Sequence, residues 1–299
     1  MRILVTNDDG VHSVGIQVLA AALAATGLYD VVVVAPDSDQ SGTGASLGRF
    51  DLDARLEARP MSLPDAPGVE AWAVAGPPAL CTVAALLEGF GERPSLVVSG
   101  INAGLNTGRS VLHSGTVGAV LTGQNFGVSG LAVSVQSQEP WHWDTAASFA
   151  VEVTRMLADA PPRSALNLNV PALPRHQVKG IRWARLAPFG EVRAAMRDSD
   201  DGPANGSEPG TRSLQVTLEF SEHDFDAETD QGLVRAGYAS LTTLVGVSEA
   251  WPGDHGLVDD TAPVLVDERI APGAPLNQAH KVPDASAHDV VLRRPEAES

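Results

Sequence analysis

Cysteine is nearly absent. Cys81 is the only one in 299 residues, so no internal disulfide framework can form, and a reducing compartment suits the chain. Lysine is almost as scarce, limited to Lys179 and Lys281. Neither follows a glycine-rich loop, which excludes a P-loop. Without a Lys/Arg cluster nothing can track a polynucleotide backbone, so a DNA- or RNA-binder is not expected. The Trp residues do not interleave with basic residues as a base-stacking platform would. No apolar run approaches the roughly 18 residues that cross a bilayer. The opening apolar run stops at Thr6, too short for a secretory leader. A cytoplasmic protein without a membrane partner is therefore expected. Two familiar motifs are also missing: no GxSxG elbow occurs, and the glycines of GINAGLNTG fall every fourth residue, not as GxGxxG.

What is present is a core-forming composition, 43% hydrophobic, with a net charge of −17. The charge is uneven. Residues 1–197 hold 17 acidic and 14 basic side chains, whereas 198–299 hold 20 and 6. The front of the chain is close to balanced and the excess belongs to the last third. A small phosphorylated substrate stays possible if a metal supplies positive charge locally.

Short β-branched runs alternate with helical periodicity over the first 170 residues. Arg2–Thr6, Val31–Ala35, Val69–Val74, Leu96–Ser99, Leu131–Val135 and Ala165–Val170 read as strands. Helices are expected over Gly15–Thr26, Leu80–Leu87 (behind Pro77 and Pro78), Thr116–Phe126 and Thr145–Leu157. Cys81 reads as a small core residue. This alternation predicts an α/β fold, Rossmann-like, with a mostly parallel sheet and helices on both faces. Beyond Val178 the pattern changes. Val178–Arg185 and Ser213–Phe220 read as extended strands around the polar stretch Asp198–Gly210, a projecting hairpin, and Gly237–Val245 reads as a returning strand. The expected organisation is a core over 1–185, a β arm with its returning strand over 186–248, and a poorly ordered acidic tail over 249–299. Such arms often pack on a second subunit, so a homo-oligomer is expected.

Two loops carry the chemistry. The first strand breaks into Asn7, Asp8, Asp9 and Gly10. The strand Leu96–Ser99 leads into Asn102, Asn106 and then Ser114-Gly115-Thr116 at a helix start. Adjacent carboxylates at the end of a buried strand are costly unless a positive charge joins them; an acidic turn left in solvent is the plainer alternative. Ser41 and Asn102, after two other strands, can add a hydroxyl and an amide carbonyl. An all-oxygen set with two carboxylates suits Mg²⁺, Mn²⁺ or Ca²⁺ and disfavours zinc. Consecutive strand residues point to opposite faces, so both acids reach one ion only if the chain turns, which Gly10 makes easy. Ser114, Gly115 and Thr116 offer N–H groups and hydroxyls to an anion at a helix N-terminus, although alone they read more simply as a plain cap. Together the two features suit phosphate ester hydrolysis, with Asp8 or Asp9 orienting the attacking water or accepting its proton. His113 can donate to the leaving group or be a surface residue; His12 reads as structural.

These blocks are recognisable. ILVTNDDG, VVVVAPDSDQSG, SLVVSGINAGLNTG, HSGTVGAV, ALNLNVP, KGIRWAR and GYASLTTL, spread over about the first 245 residues, resemble the SurE family of survival proteins and 5′/3′-nucleotidases. The resemblance implies a Rossmann-like core with a C-terminal arm exchanged within homodimers or homotetramers. It implies one divalent ion per subunit and removal of phosphate from nucleoside 5′- or 3′-monophosphates. Family metal ligands correspond to Asp8, Asp9, Ser41 and Asn102, and phosphate-side residues to Asn106, Ser114, Gly115 and Thr116. A broad acid phosphatase, or a nucleotide-binding protein without turnover, is the alternative. The chain departs from the family at Gly76-Pro77-Pro78, Leu80, His113 and Ala45–Gly48, positions that bear on substrate preference, and in its acidic tail.

Overall fold

The computed structural model describes residues 1–48, 55–189, 192–198, 211–220 and 225–248. Six parallel strands form the centre of a nine-stranded sheet: β1 (Arg2–Thr6), β2 (Asp30–Pro36), β4 (Glu70–Val74), β5 (Leu96–Ala103), β6 (Ser129–Val135) and β7 (Ala165–Val170). With β3 (Ala58–Met61), β8 (Ile181–Trp183) and β11 (Ala239–Leu244), the order is β3-β4-β2-β1-β5-β6-β7-β11-β8. β3 pairs antiparallel to β4 at one edge, and β11 antiparallel to β7 near the other.

The strands are continuous apolar runs because both faces are covered. Residues of β1 and β2 alternate between two cores. Ile3, Val5, Val31 and Val33 face α1 (Val14–Ala25) and α4 (Trp143–Ala158). Leu4, Val32 and Val34 face the side holding Cys81, Ala85 and Leu86 of α2 (Pro78–Leu86). There α2 packs beside α3 (Gly115–Asn125). Each such side chain, fully withdrawn from water, contributes about 1.5–3 kcal/mol. Cys81 is fully buried, as expected, and burial pushes its thiol above the ordinary range.

The second half differs in one respect from expectation. Val178–Arg185 does not pair with Ser213–Phe220. Its central residues form β8, held in the main sheet parallel to β11. The hairpin is instead β9 (Val192–Asp198) antiparallel to β10 (Leu214–Phe220). A short helix, α5 (Asp230–Arg235), then precedes β11. The hairpin tip at 199–210 and the tail at 249–299 lie outside the described residues. No helix among the described residues is long and apolar enough to cross a membrane.

The order β4-β2-β1-β5-β6-β7 places a topological switch between β1 and β5. The chain winds one way from β1 to β2 and the other way after β5. Ligands of open α/β sheets bind outside the carboxyl ends of the strands at such a point.

Candidate functional site

Both acidic residues sit at that switch, immediately after β1. Thr6 pairs with Ser99 of β5, so the NDDG turn emerges beside the β5 loop. Asn7 Nδ2 donates to the Gly10 carbonyl (3.0 Å) and to Ser13 Oγ (2.8 Å), which closes the turn. Gly10 adopts φ +93°, a left-handed conformation that favours glycine, and a Cβ there would meet the Ser38 carbonyl carbon at 3.2 Å. The β2 loop is tied on by main-chain bonds: Val11 N donates to Pro36 O (2.8 Å) and Gln40 N to Asp8 O (2.7 Å).

Asp8 is buried and its Oδ1 accepts from the Thr116 hydroxyl. Gly115 lies directly beneath it; a Cβ at Gly115 would stand 2.7 Å from Asp8 Cβ and 2.9 Å from its Oδ2. The first acid of the pair and the N-terminus of α3 are thus in contact. Burial raises the Asp8 pKa above the ordinary carboxylate range, against hydrogen bonds from Thr116 and the Gly115 main chain. Asp9 receives one long hydrogen bond, from Ala103 N at 3.4 Å. Its pKa is pushed up to about 6 by burial, then by the charges of Asp8 and Asp39, with only the Ala103 N–H opposing.

Ser41 lies next to Gln40, whose N–H reaches Asp8. Its hydroxyl donates to Asp39 Oδ1 (2.6 Å), and its N–H donates to the same oxygen (2.8 Å). Those two bonds hold the Asp39 carboxyl below its usual range. Asn102 stands one residue before Ala103, and its Nδ2 donates to Gly104 O (2.7 Å), which turns the amide oxygen the other way.

Asn106 is held on every side. Its N–H donates to Asn169 Oδ1 (2.8 Å) and its Nδ2 to Ser134 Oγ (2.8 Å), while its carbonyl accepts from Asn167 (2.8 Å) and Asn169 (3.0 Å). A 3-10 turn over Gly108–His113 leads to Ser114, whose Oγ caps α3 by accepting from Val117 N (3.1 Å). His113 is exposed, with its carbonyl accepting from Gly44 N (3.1 Å). Here the β2 loop and α3 meet backbone to backbone. A Cβ at Gly118 would lie 2.2 Å from Gly44 O, and one at Gly44, itself at φ +55°, 2.9 Å from Leu112 O.

Two surface hollows lie elsewhere. One is lined by Asp37, Glu57, Arg59 and Ala73 at the β3–β4 edge, the other by Val18, Ala22, Asp144 and Ala147 between α1 and α4. Neither is lined by Asp8 or Asp9.

The donor chemistry fits a hard divalent cation. Two carboxylates share one turn, both with raised pKa, and among the described residues neither forms an ion pair. A doubly charged ion cancels both charges. No group of three or more His, Cys, Asp or Glu among the described residues is arranged to hold a metal. Asp39, Ser134, Asn167 and Asn169 were not expected at the site. The alternating Asn167 and Asn169 inside the otherwise apolar ALNLNV are the one sequence signal, since buried amides demand partners.

Comparison with known proteins agrees on one group. The family model described as "Survival protein SurE" matches residues 3–190. The chain is 37% identical over 259 residues to the 5′-nucleotidase SurE of Aeromonas hydrophila, spanning 86% of this chain and 97% of that protein. It is 44% identical over 189 residues to the protein of the same name from Synechococcus sp. (strain CC9605), spanning 62% and 69%. The crystal structure of the SurE protein from Aquifex aeolicus superposes with a TM-score of 0.64 at 31% identity, covering 82% of this chain and 93% of that one.

Proposed function

This chain belongs to the SurE family, and we propose that it acts as a 5′-nucleotidase, a phosphoric monoester hydrolase that converts nucleoside monophosphates to nucleoside and phosphate. One observation supports this above the others. An acid pair that forms no ion pair among the described residues abuts, through Asp8, Gly115 and Thr116 at the start of α3, where main-chain N–H groups and the helix dipole favour an anion. Positive charge and a phosphoryl group are wanted at adjoining places.

Asp8, Asp9, Ser41 and Asn102 would hold a divalent ion, Mg²⁺ or Mn²⁺ before Ca²⁺, one per subunit. When bound it supplies charge to the phosphoryl oxygens and lowers the pKa of water. Asn106, Ser114, Gly115 and Thr116 bind and orient the phosphate, and His113 stands at the rim to meet the leaving group. Asp8 or Asp9 would orient the attacking water or accept its proton. Both 5′- and 3′-monophosphates fit this reading, because the phosphate grip does not involve the sugar. Residues 1–185 carry the catalysis, 186–248 are the arm with its returning strand, and 249–299 an acidic tail. A homodimer or homotetramer is the proposed assembly. It would cover exposed apolar side chains of the arm and the sheet edge: Trp183, Phe189, Leu214 and Val216.

The test is phosphate release from AMP, GMP, 3′-AMP and an aryl phosphate, each with EDTA, Mg²⁺ or Mn²⁺. Activity is expected to vanish in EDTA and return with metal, fastest on nucleotides. Full activity in chelator overturns the metal role. Equal rates on aryl phosphate favour a broad phosphatase, and binding of AMP without release a nucleotide-binding protein.

A further inference from the structure

The loop from Asn106 to Gly108 is fixed almost wholly by residues remote in sequence. Ser134, Asn167 and Asn169 hold Asn106, as described. The next two residues are held from the far end of the chain. Thr107 Oγ1 donates to Gln231 Oε1 (2.8 Å), and Gly108 N donates to Asp230 Oδ2 (2.8 Å). Thr107, Asp230 and Gln231 are all fully buried.

Asp230 does more than receive Gly108. Its Oδ1 also accepts from Ala187 N (2.9 Å) and from Gln231 N (2.8 Å). Ala187 is the buried residue just before the β9–β10 hairpin, and Asp230 follows it. One carboxylate therefore joins the chain entering the arm, the chain leaving it, and the loop that leads to Ser114. Three N–H donors on two oxygens suit an acceptor-only group. An amide would turn its own NH₂ toward at least one donor. Burying a carboxylate without a cationic partner is costly, and burial raises the Asp230 pKa against those N–H bonds. Gln231 adds to the cost, because its Nε2 is buried without a partner among the described residues. An apolar pair would leave those N–H groups and the Thr107 hydroxyl buried without acceptors, so the polar pair fixes where the loop sits.

We propose that Asp230, assisted by Gln231, is a positioning residue that fixes Thr107 and Gly108, and through them Asn106 and Ser114, in the geometry that binds the substrate phosphate. This rests on the reading of residues 106–116 as the phosphate side. It makes the root of the arm part of the active-site frame.

The test titrates inorganic phosphate and, separately, Mn²⁺ into the full-length chain by calorimetry. Wild type is compared with Asp230→Asn and with Gln231→Met, which removes the Thr107 acceptor along with the orphaned NH₂. In Asp230→Asn, phosphate affinity in the presence of Mn²⁺ is expected to fall about tenfold, the scale of one hydrogen bond to a charged group. KM for AMP should rise in parallel, with Mn²⁺ affinity unchanged. Gln231→Met is expected to weaken phosphate about threefold without loss of Tm, and it carries the test if Asp230→Asn does not fold. Wild-type phosphate affinity in the folded variants overturns the inference alone. So does a loss of Mn²⁺ and phosphate binding in equal proportion, which marks a general structural role. A wild-type chain that binds Mn²⁺ but no phosphate overturns the functional reading, and the inference with it.

Discussion

Gly115 shows how little room the site leaves. A methyl group there would overlap Asp8 Cβ and Oδ2. Gly115→Ala is therefore expected to cut phosphate release by roughly 100-fold, since misplacing a reacting group by about 1 Å costs that much. A thermal scan should show the variant still folded. Asp39 is a subtler case. By accepting the Ser41 O–H as a hydrogen bond it leaves that hydroxyl oxygen's lone pairs for an ion, and its charge adds to those of Asp8 and Asp9. Asp39→Asn is expected to weaken Mn²⁺ about tenfold or more, read by titration of the metal alone. Asp9 also sets a pH dependence. Its folded pKa, about 6, lies above its unfolded value near 4, so the metal-free fold holds that proton more tightly than the unfolded chain. The contribution to stability is full below about pH 4 and is lost as pH rises through 6. With EDTA, Tm should carry a downward component between about pH 4 and 6 that Asp9→Asn lacks.

At the level of elements, β1 has two unlike ends. Its carboxyl end carries the acid pair. At its start Arg2 donates to Asp30 Oδ2 (2.7 Å), Glu70 Oε2 (2.9 Å) and the Phe90 carbonyl (2.8 Å), bracing three parts of the sheet's opposite rim. The acidic partners are largely exposed, so the bracing is worth only about 1 kcal/mol. Arg2→Ala should lower Tm by a few degrees, roughly, and leave kcat and KM unchanged. The central strands were legible because continuous runs such as VVVVA are what doubly covered strands require, and the four long helices declared themselves by period and caps. The partner of the hairpin strand was not. β8 is three residues long, too short for periodicity to separate it from β9. Helix α5 spans six residues, and its Asp230 looks like any other acid in an acid-rich third of the chain. Loop chemistry was read from NDDG and HSGT, where local spacing carries meaning. The supports from Ser134, Asn167 and Asp230 depend on pairings 28 to 122 residues apart, which spacing cannot reveal.

For the molecule as a whole, residues 1–246 form one compact unit. β11 ends at Leu244, and Gly246 N donates to Gln124 Oε1 (2.8 Å), fastening the end of the described sheet onto α3. Every proposed site residue precedes this point. A chain stopped after Ser248 is therefore expected to keep the KM and kcat of the full chain, measured on AMP. A large loss would place residues 249–299 inside the catalytic machinery. The glycine contact between the β2 loop and α3 bears on how such a protein can evolve. A side chain at Gly118 would run into the Gly44 carbonyl, and one at Gly44 into the Leu112 carbonyl, so neither glycine can acquire one unless the backbone opposite retreats. Single mutations are barred from remodelling that seam. Drift toward new substrates is left to outward-facing neighbours such as Leu112 and His113, where one codon at a time suffices.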